Sequence, residues 1–125
     1  MPPGKGCILF VDDEVALAHM GCAILEHLGY DVVVGTGSRQ ALDTFRAMPQ
    51  RFDLVITDQT MPHMTGEVLA QELRCLRPDI PIILCTGYSP RIDAEKAKAL
   101  GIDAFLMKPW QAHDLARIVR DVMAP

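Results

Sequence analysis

None of the four cysteines, Cys7, Cys22, Cys75 and Cys85, stands in a C-x-x-C pair or at a spacing that zinc sites use. Dithiol redox and structural zinc chemistry are therefore not what organises this chain. Cys7 and Cys85 fall inside apolar runs, where free cysteine packs as a small hydrophobe, so reduced thiols in a cytoplasmic protein are expected. No apolar run approaches the roughly 20 residues of a membrane span. Residues 1–6 have no long apolar core and read as a short N-terminal extension, not as a signal peptide. Repeats, low-complexity tracts and internal linkers are also missing, so one domain is expected over residues 7–125. Nor is there an excess of positive charge. Twelve Lys and Arg against sixteen Asp and Glu leave −4, which disfavours a nucleic-acid or membrane surface.

What is present is a chain of 125 residues, half of them hydrophobic. That length buries most of its apolar surface and needs no disulfide or structural metal to fold. Short apolar runs alternate with segments of helical spacing. Strands are expected at residues 7–11, 31–34, 52–57, 82–85 and 104–107, and helices at 15–28, 38–48, 66–76, 89–101 and 111–123. Gly29 is placed to end the first helix, Ser38 to cap the second, and Ser89-Pro90 to cap the fourth and supply its first-turn proline. Continuous apolar runs such as Cys7-Ile8-Leu9-Phe10-Val11 suit strands buried on both faces of a parallel sheet. Five alternations of strand and helix imply a single α/β sandwich with right-handed crossovers, a doubly wound (βα)5 arrangement. Ligands in such folds bind beyond the carboxyl ends of the strands, so the residues following each apolar run carry the information.

Those residues are Asp12, Asp13 and Glu14 after the first strand, Asp58 after the third, Thr86 after the fourth, and Lys108-Pro109 after the fifth. A parallel sheet would bring them to one rim. Clustered carboxylates repel unless a cation sits among them or some are protonated. Mg²⁺ fits such a set, because it takes oxygen ligands and often bridges to a phosphoryl group. Lysine offers a point charge to a phosphoryl oxygen, and threonine a hydroxyl donor. An aspartate can act as the nucleophile, giving an acyl phosphate. Each piece has a structural alternative. The acids at 12–14 would favour a helix N-terminus, Asp58 would cap a turn, Thr86 would satisfy a strand end, and Lys108 would be solvated. Their joint placement, each at the end of a different strand, is what those alternatives leave unexplained.

At this point the motifs match a known family. Ile8-Leu9-Phe10-Val11-Asp12-Asp13-Glu14, Asp53-Leu54-Val55-Ile56-Thr57-Asp58, Met61-Pro62, Met64-Thr65-Gly66, Thr86-Gly87 and Lys108-Pro109 occur in this order. Together they resemble the CheY-like receiver domain of response regulators and hybrid histidine kinases, over essentially the full chain. The resemblance implies a flavodoxin-like sheet of order 2-1-3-4-5 and a switch that catalyses only its own phosphorylation and dephosphorylation. It implies that Asp58 is the phosphoacceptor. Asp13 and Asp58 would ligate Mg²⁺ (or Mn²⁺) directly, with the Thr60 main-chain carbonyl as third ligand and Asp12 acting through a water of the ion. Lys108 would pair with the phosphoryl group, Thr86 would hydrogen-bond it, and Phe105 would turn inward as Thr86 moves. The Lys108–Pro109 bond would be cis. The donor would be a histidine kinase or histidine phosphotransfer domain, with output read from the last two helices and the fifth strand. An apolar patch on those two helices would suit a weak homodimer.

Phe105 lacks the hydroxyl of a tyrosine at that place, and Gly87 leaves the site open. Gln59, Thr60 and Tyr88 line the rim where acyl-phosphate lifetimes differ. Trp110 reads as a packing anchor for the last helix. His19, His27, His63 and His113 are scattered, with no ligand partner at usable spacing. The wording around Asp58, Thr86 and Lys108 resembles receivers fused to sensor histidine kinases, so a receiver cut from a hybrid kinase is expected, and a stand-alone regulator is the alternative. A haloacid-dehalogenase-like phosphatase fits poorly. It wants Asp-x-Asp where the chain has Asp12-Asp13-Glu14, and an acidic pair where Asp114 and Asp121 stand isolated. A flavin or nucleotide carrier would need a phosphate-cradling first loop, and this one is acidic.

Overall fold

Buried apolar runs set the layout. In the computed structural model, which describes residues 6–87 and 101–124, the three central strands are fully buried from end to end. They are β1 (Cys7–Val11), β3 (Leu54–Asp58) and β4 (Ile82–Thr86). The edge strands β2 (Asp31–Gly35) and β5 (Ala104–Met107) are partly exposed. All four pairings are parallel, and the order is β2-β1-β3-β4-β5, as expected.

Among the described residues four α-helices cover the sheet: α1 (Val15–His27), α2 (Ser38–Ala47), α3 (Gly66–Leu76) and α4 (Ala112–Met123). Side chains alternate across the strands. Leu9, Val11, Val55 and Leu84 pack with α2 and α3 residues such as Phe45 and Leu73. Ile8, Phe10, Ile56 and Leu106 point the other way, onto Leu25 of α1 and Leu115 and Val119 of α4. The molecule is thus the doubly wound sandwich that the alternation implied. The helix expected at residues 89–101 lies outside the described residues, except for Gly101, whose φ of 76° is left-handed. Tyr88 also lies outside them.

Several local expectations need correction. Ser38 does not cap α2. It is the first helical residue, Gly37 holds the cap position, and the Ser38 hydroxyl donates to the Pro62 carbonyl at 3.3 Å. β3 begins at Leu54, not at residue 52, because Phe52 turns aside to stack on Phe45 with ring centroids 5.6 Å apart. Asp58 and Thr86 are the last residues of their strands, not the first beyond them. Other expectations hold. Gly29, with φ 103°, follows the C-cap of α1. Trp110 is buried and meets Phe10 edge-on at 6.2 Å, anchoring the start of α4.

Candidate functional site

Strand register builds the site. Val11 of β1 pairs with Thr57 of β3, so the next residues, Asp12 and Asp58, leave the sheet side by side. Asp58 pairs with Cys85, Cys85 with Leu106, and Thr86 with Met107, which brings Lys108 off β5 at the same rim. A one-residue slip would turn every one of these groups to the opposite face.

Asp12, Asp13 and Asp58 each present a carboxylate oxygen within 4.8 Å of the others. Asp12 and Asp58 are buried, while Asp13 is exposed. The Lys108 ammonium reaches between the two buried acids, 3.0 Å from Asp58 Oδ1 and 3.4 Å from Asp12 Oδ2. Asp12 Oδ1 also accepts the Glu14 N–H at 2.9 Å, so this acid supports the first turn of α1 as well as facing the site. Thr86 is buried at the end of β4, and its carbonyl accepts the Lys108 N–H at 2.8 Å. The Lys108–Pro109 peptide is cis. Phe105 is half-buried against the α2/α3 side of the sheet. Thr60 lies in the exposed start of the loop after β3.

Burial raises the Asp58 pKa above the ordinary carboxylate range, and the neighbouring Asp12 charge adds to this; the hydrogen bond and charge of Lys108 only partly offset the rise. Burial alone would depress Lys108. The hydrogen bond and charge of Asp58, with the charge of Asp12, outweigh it, and the lysine pKa goes up. The lysine therefore stays charged across neutral pH. Cys85, beneath the acids, is pushed up to about 12 by burial and then by the Asp58 charge, so it behaves as an inert packing thiol.

Three carboxylates face one ammonium, an excess of two negative charges in a partly buried space. All donors are hard oxygens on one side of the rim, and the set fits a small divalent cation such as Mg²⁺. Among the described residues, the nearest atom to a Cβ built at Gly87 would be the Lys108 Cβ, at 4.0 Å.

The four histidines stay apart from this cluster, and His113 instead lies 3.2 Å from Asp114. Asp114 accepts the Gln111 N–H at 3.0 Å, as a helix cap does, and neither it nor Asp121 joins the cluster of Asp12, Asp13 and Asp58. Sequence reasoning missed how Gln59 is held. Its side chain accepts the N–H of Glu67, eight residues on, and no local pattern announces a contact of that span.

The sequence profile of the family described as "Response regulator receiver domain" matches residues 8–120. Sensor kinase CckA of Brucella abortus (strain 2308) is 32% identical over 120 residues, which cover 96% of this chain and 13% of that protein. Transcriptional regulatory protein ZraR of Escherichia coli (strain K12) is 34% identical over 117 residues, covering 94% and 26%. The chain thus spans about a quarter or less of the length of these two relatives. Among solved structures, the receiver domain protein from Clostridium thermocellum superposes with a TM-score of 0.87 at 29% identity, covering 94% of this chain and 93% of that one. Chemotaxis protein CheY4 of Vibrio cholerae superposes with a TM-score of 0.86 at 28% identity, covering 95% and 99%.

Proposed function

The chain belongs to the family of response regulator receiver domains, and on that premise we propose that it accepts a phosphoryl group on Asp58 from a phosphohistidine, with Mg²⁺. The observation that carries this reading is the meeting of Asp12, Asp13, Asp58 and Lys108 at one rim. We take Asp58 as the acceptor because, of the two buried acids that meet the lysine, it lies nearer, at 3.0 Å against 3.4 Å for Asp12.

In the transfer, an Asp58 carboxylate oxygen forms the new O–P bond while the N–P bond of the phosphohistidine breaks, and the imidazole leaves with its electron pair. Lys108, held protonated, balances the charge gathered on the phosphoryl oxygens. Mg²⁺ bound to Asp13, Asp58 and the Thr60 carbonyl, with Asp12 holding one of its waters, would supply the remaining charge neutralisation. The Thr86 hydroxyl then donates to a phosphoryl oxygen, and Phe105 turns inward as Thr86 moves. Output is read on a surface that includes β5 and α4, to which Met107 contributes an exposed side chain.

We read the chain as the receiver portion of a hybrid sensor histidine kinase, acting on the cytoplasmic side. The likeness to a sensor kinase supports this. The rival reading, a stand-alone regulator, draws support from CheY4, which the chain covers almost entirely. No described helix is long and apolar enough to cross a membrane.

The test is intact mass after incubation with Mg²⁺ and a small acyl-phosphate donor, beside Asp58→Asn. One Mg²⁺-dependent phosphoryl adduct on the wild type and none on the variant is expected. An unchanged mass for the folded wild type would contradict the reading.

A further inference from the structure

Gln59 follows Asp58 directly, and three of its polar groups are engaged. Its N–H donates to the Cys85 carbonyl of β4 at 2.8 Å, and its carbonyl accepts the Gly66 N–H at 3.0 Å. Its side-chain oxygen accepts the Glu67 N–H at 2.9 Å. The first N–H groups of a helix have no partner within the helix. In α3, Gln59 satisfies two of them, and the Thr65 hydroxyl takes the next, from Val68, at 3.3 Å.

The start of α3 is thus fastened to the residue beside the acceptor as well as to its own cap. Gly66 allows the close approach, since a Cβ there would overlap the Asp58 carbonyl oxygen and come within 2.7 Å of Leu84 Cδ1. On the far side of Thr60, Met61 is buried in the core, and the Pro62 carbonyl takes the Ser38 hydroxyl. Thr60 therefore sits between two held residues. Of the two, Gln59 alone adjoins both Asp58 and Thr60.

We propose that Gln59 is a positioning residue for the cation site: its side-chain bond to α3 holds residues 58–60 where the Asp58 carboxylate meets Asp12 and Asp13. This rests on the reading that Mg²⁺ binds among those acids. The plainer account makes Gln59 a helix cap whose loss costs stability and nothing else. Thr65 separates the two accounts, because it caps the same turn and has no bond to residues 58–60.

Titration calorimetry with MgCl₂ tests it on the wild type, Gln59→Met and Thr65→Val. Gln59→Met keeps the length of the side chain and removes the acceptor. It should bind Mg²⁺ about tenfold more weakly, as loss of a group that orients a metal ligand does. Adduct formation from an acyl-phosphate donor should slow at low Mg²⁺ and recover at saturation. Thr65→Val should lower the melting temperature and leave the affinity within about twofold, the split expected of a cap alone. Gln59→Glu, which retains an acceptor for the Glu67 N–H, should bind at least as tightly as the wild type. Equal affinities for Gln59→Met and Thr65→Val would overturn the proposal, as would weak binding by Gln59→Glu. A wild type that takes up no Mg²⁺ would overturn the reading of the site itself, a different result from equal affinities.

Discussion

Asp58 is an acid kept in a place that disfavours its charge. Burial raises its pKa above the ordinary 3.8, and Lys108 offsets only part of the rise. A carboxyl that holds its proton more tightly folded than unfolded favours the native state below the ordinary aspartate range. That advantage is lost as the pH climbs through the raised value. At neutral pH the ionised Asp58 therefore works against folding. In metal-free buffer Asp58→Asn should melt a few degrees above the wild type at pH 7, with the gap closing as the pH falls towards 3.8. A variant less stable than the wild type at pH 7 would show that the Lys108 contact outweighs the burial. The identities of Asp12, Asp58 and Lys108 were legible in the sequence because each ends or follows an apolar strand. Which of the acids 12 to 14 would be buried was not, since adjacent acids look alike until register decides which points at β3.

At the scale of elements, the connection from β3 to α3 does most to shape the site. Gly66 is required there by contact, because any Cβ would overlap the Asp58 carbonyl. Gly66→Ala should cost about 1–3 kcal/mol in urea melts, the usual cost of overpacking. It should also displace Asp58 and abolish the Mg²⁺-dependent adduct. Stability within error of the wild type would mean that the loop gives way easily. The five strands and the four described helices were readable as alternating apolar runs and helical periods. The errors came where tertiary packing claimed a residue that local pattern had assigned elsewhere. Phe52 looked like strand and became a partner for Phe45, and Ser38 looked like a cap and became a donor to Pro62. The Gln59–Glu67 bond was invisible for the same reason, as its partners lie eight residues apart across a loop.

For the whole molecule, parallel register gathers residues from four strands at one rim, and cation binding and global stability should be coupled through it. A cation bound only by the folded state stabilises it, by about 2.7 kcal/mol at one hundred times the dissociation constant. Mg²⁺ should therefore raise the melting temperature of the wild type. Asp13→Asn should melt near the wild type without metal, because Asp13 is exposed, and should lose most of the Mg²⁺ effect. An undiminished effect in that variant would place the ion elsewhere. The central claim, that the phosphoryl group is carried on Asp58, is tested most directly by borohydride reduction of the phosphorylated chain, followed by peptide mass mapping. Reduction of an acyl phosphate leaves homoserine where the aspartate stood. The account predicts homoserine at position 58 and nowhere else; homoserine at position 12 or 13, or phosphate retained on a histidine, would contradict it.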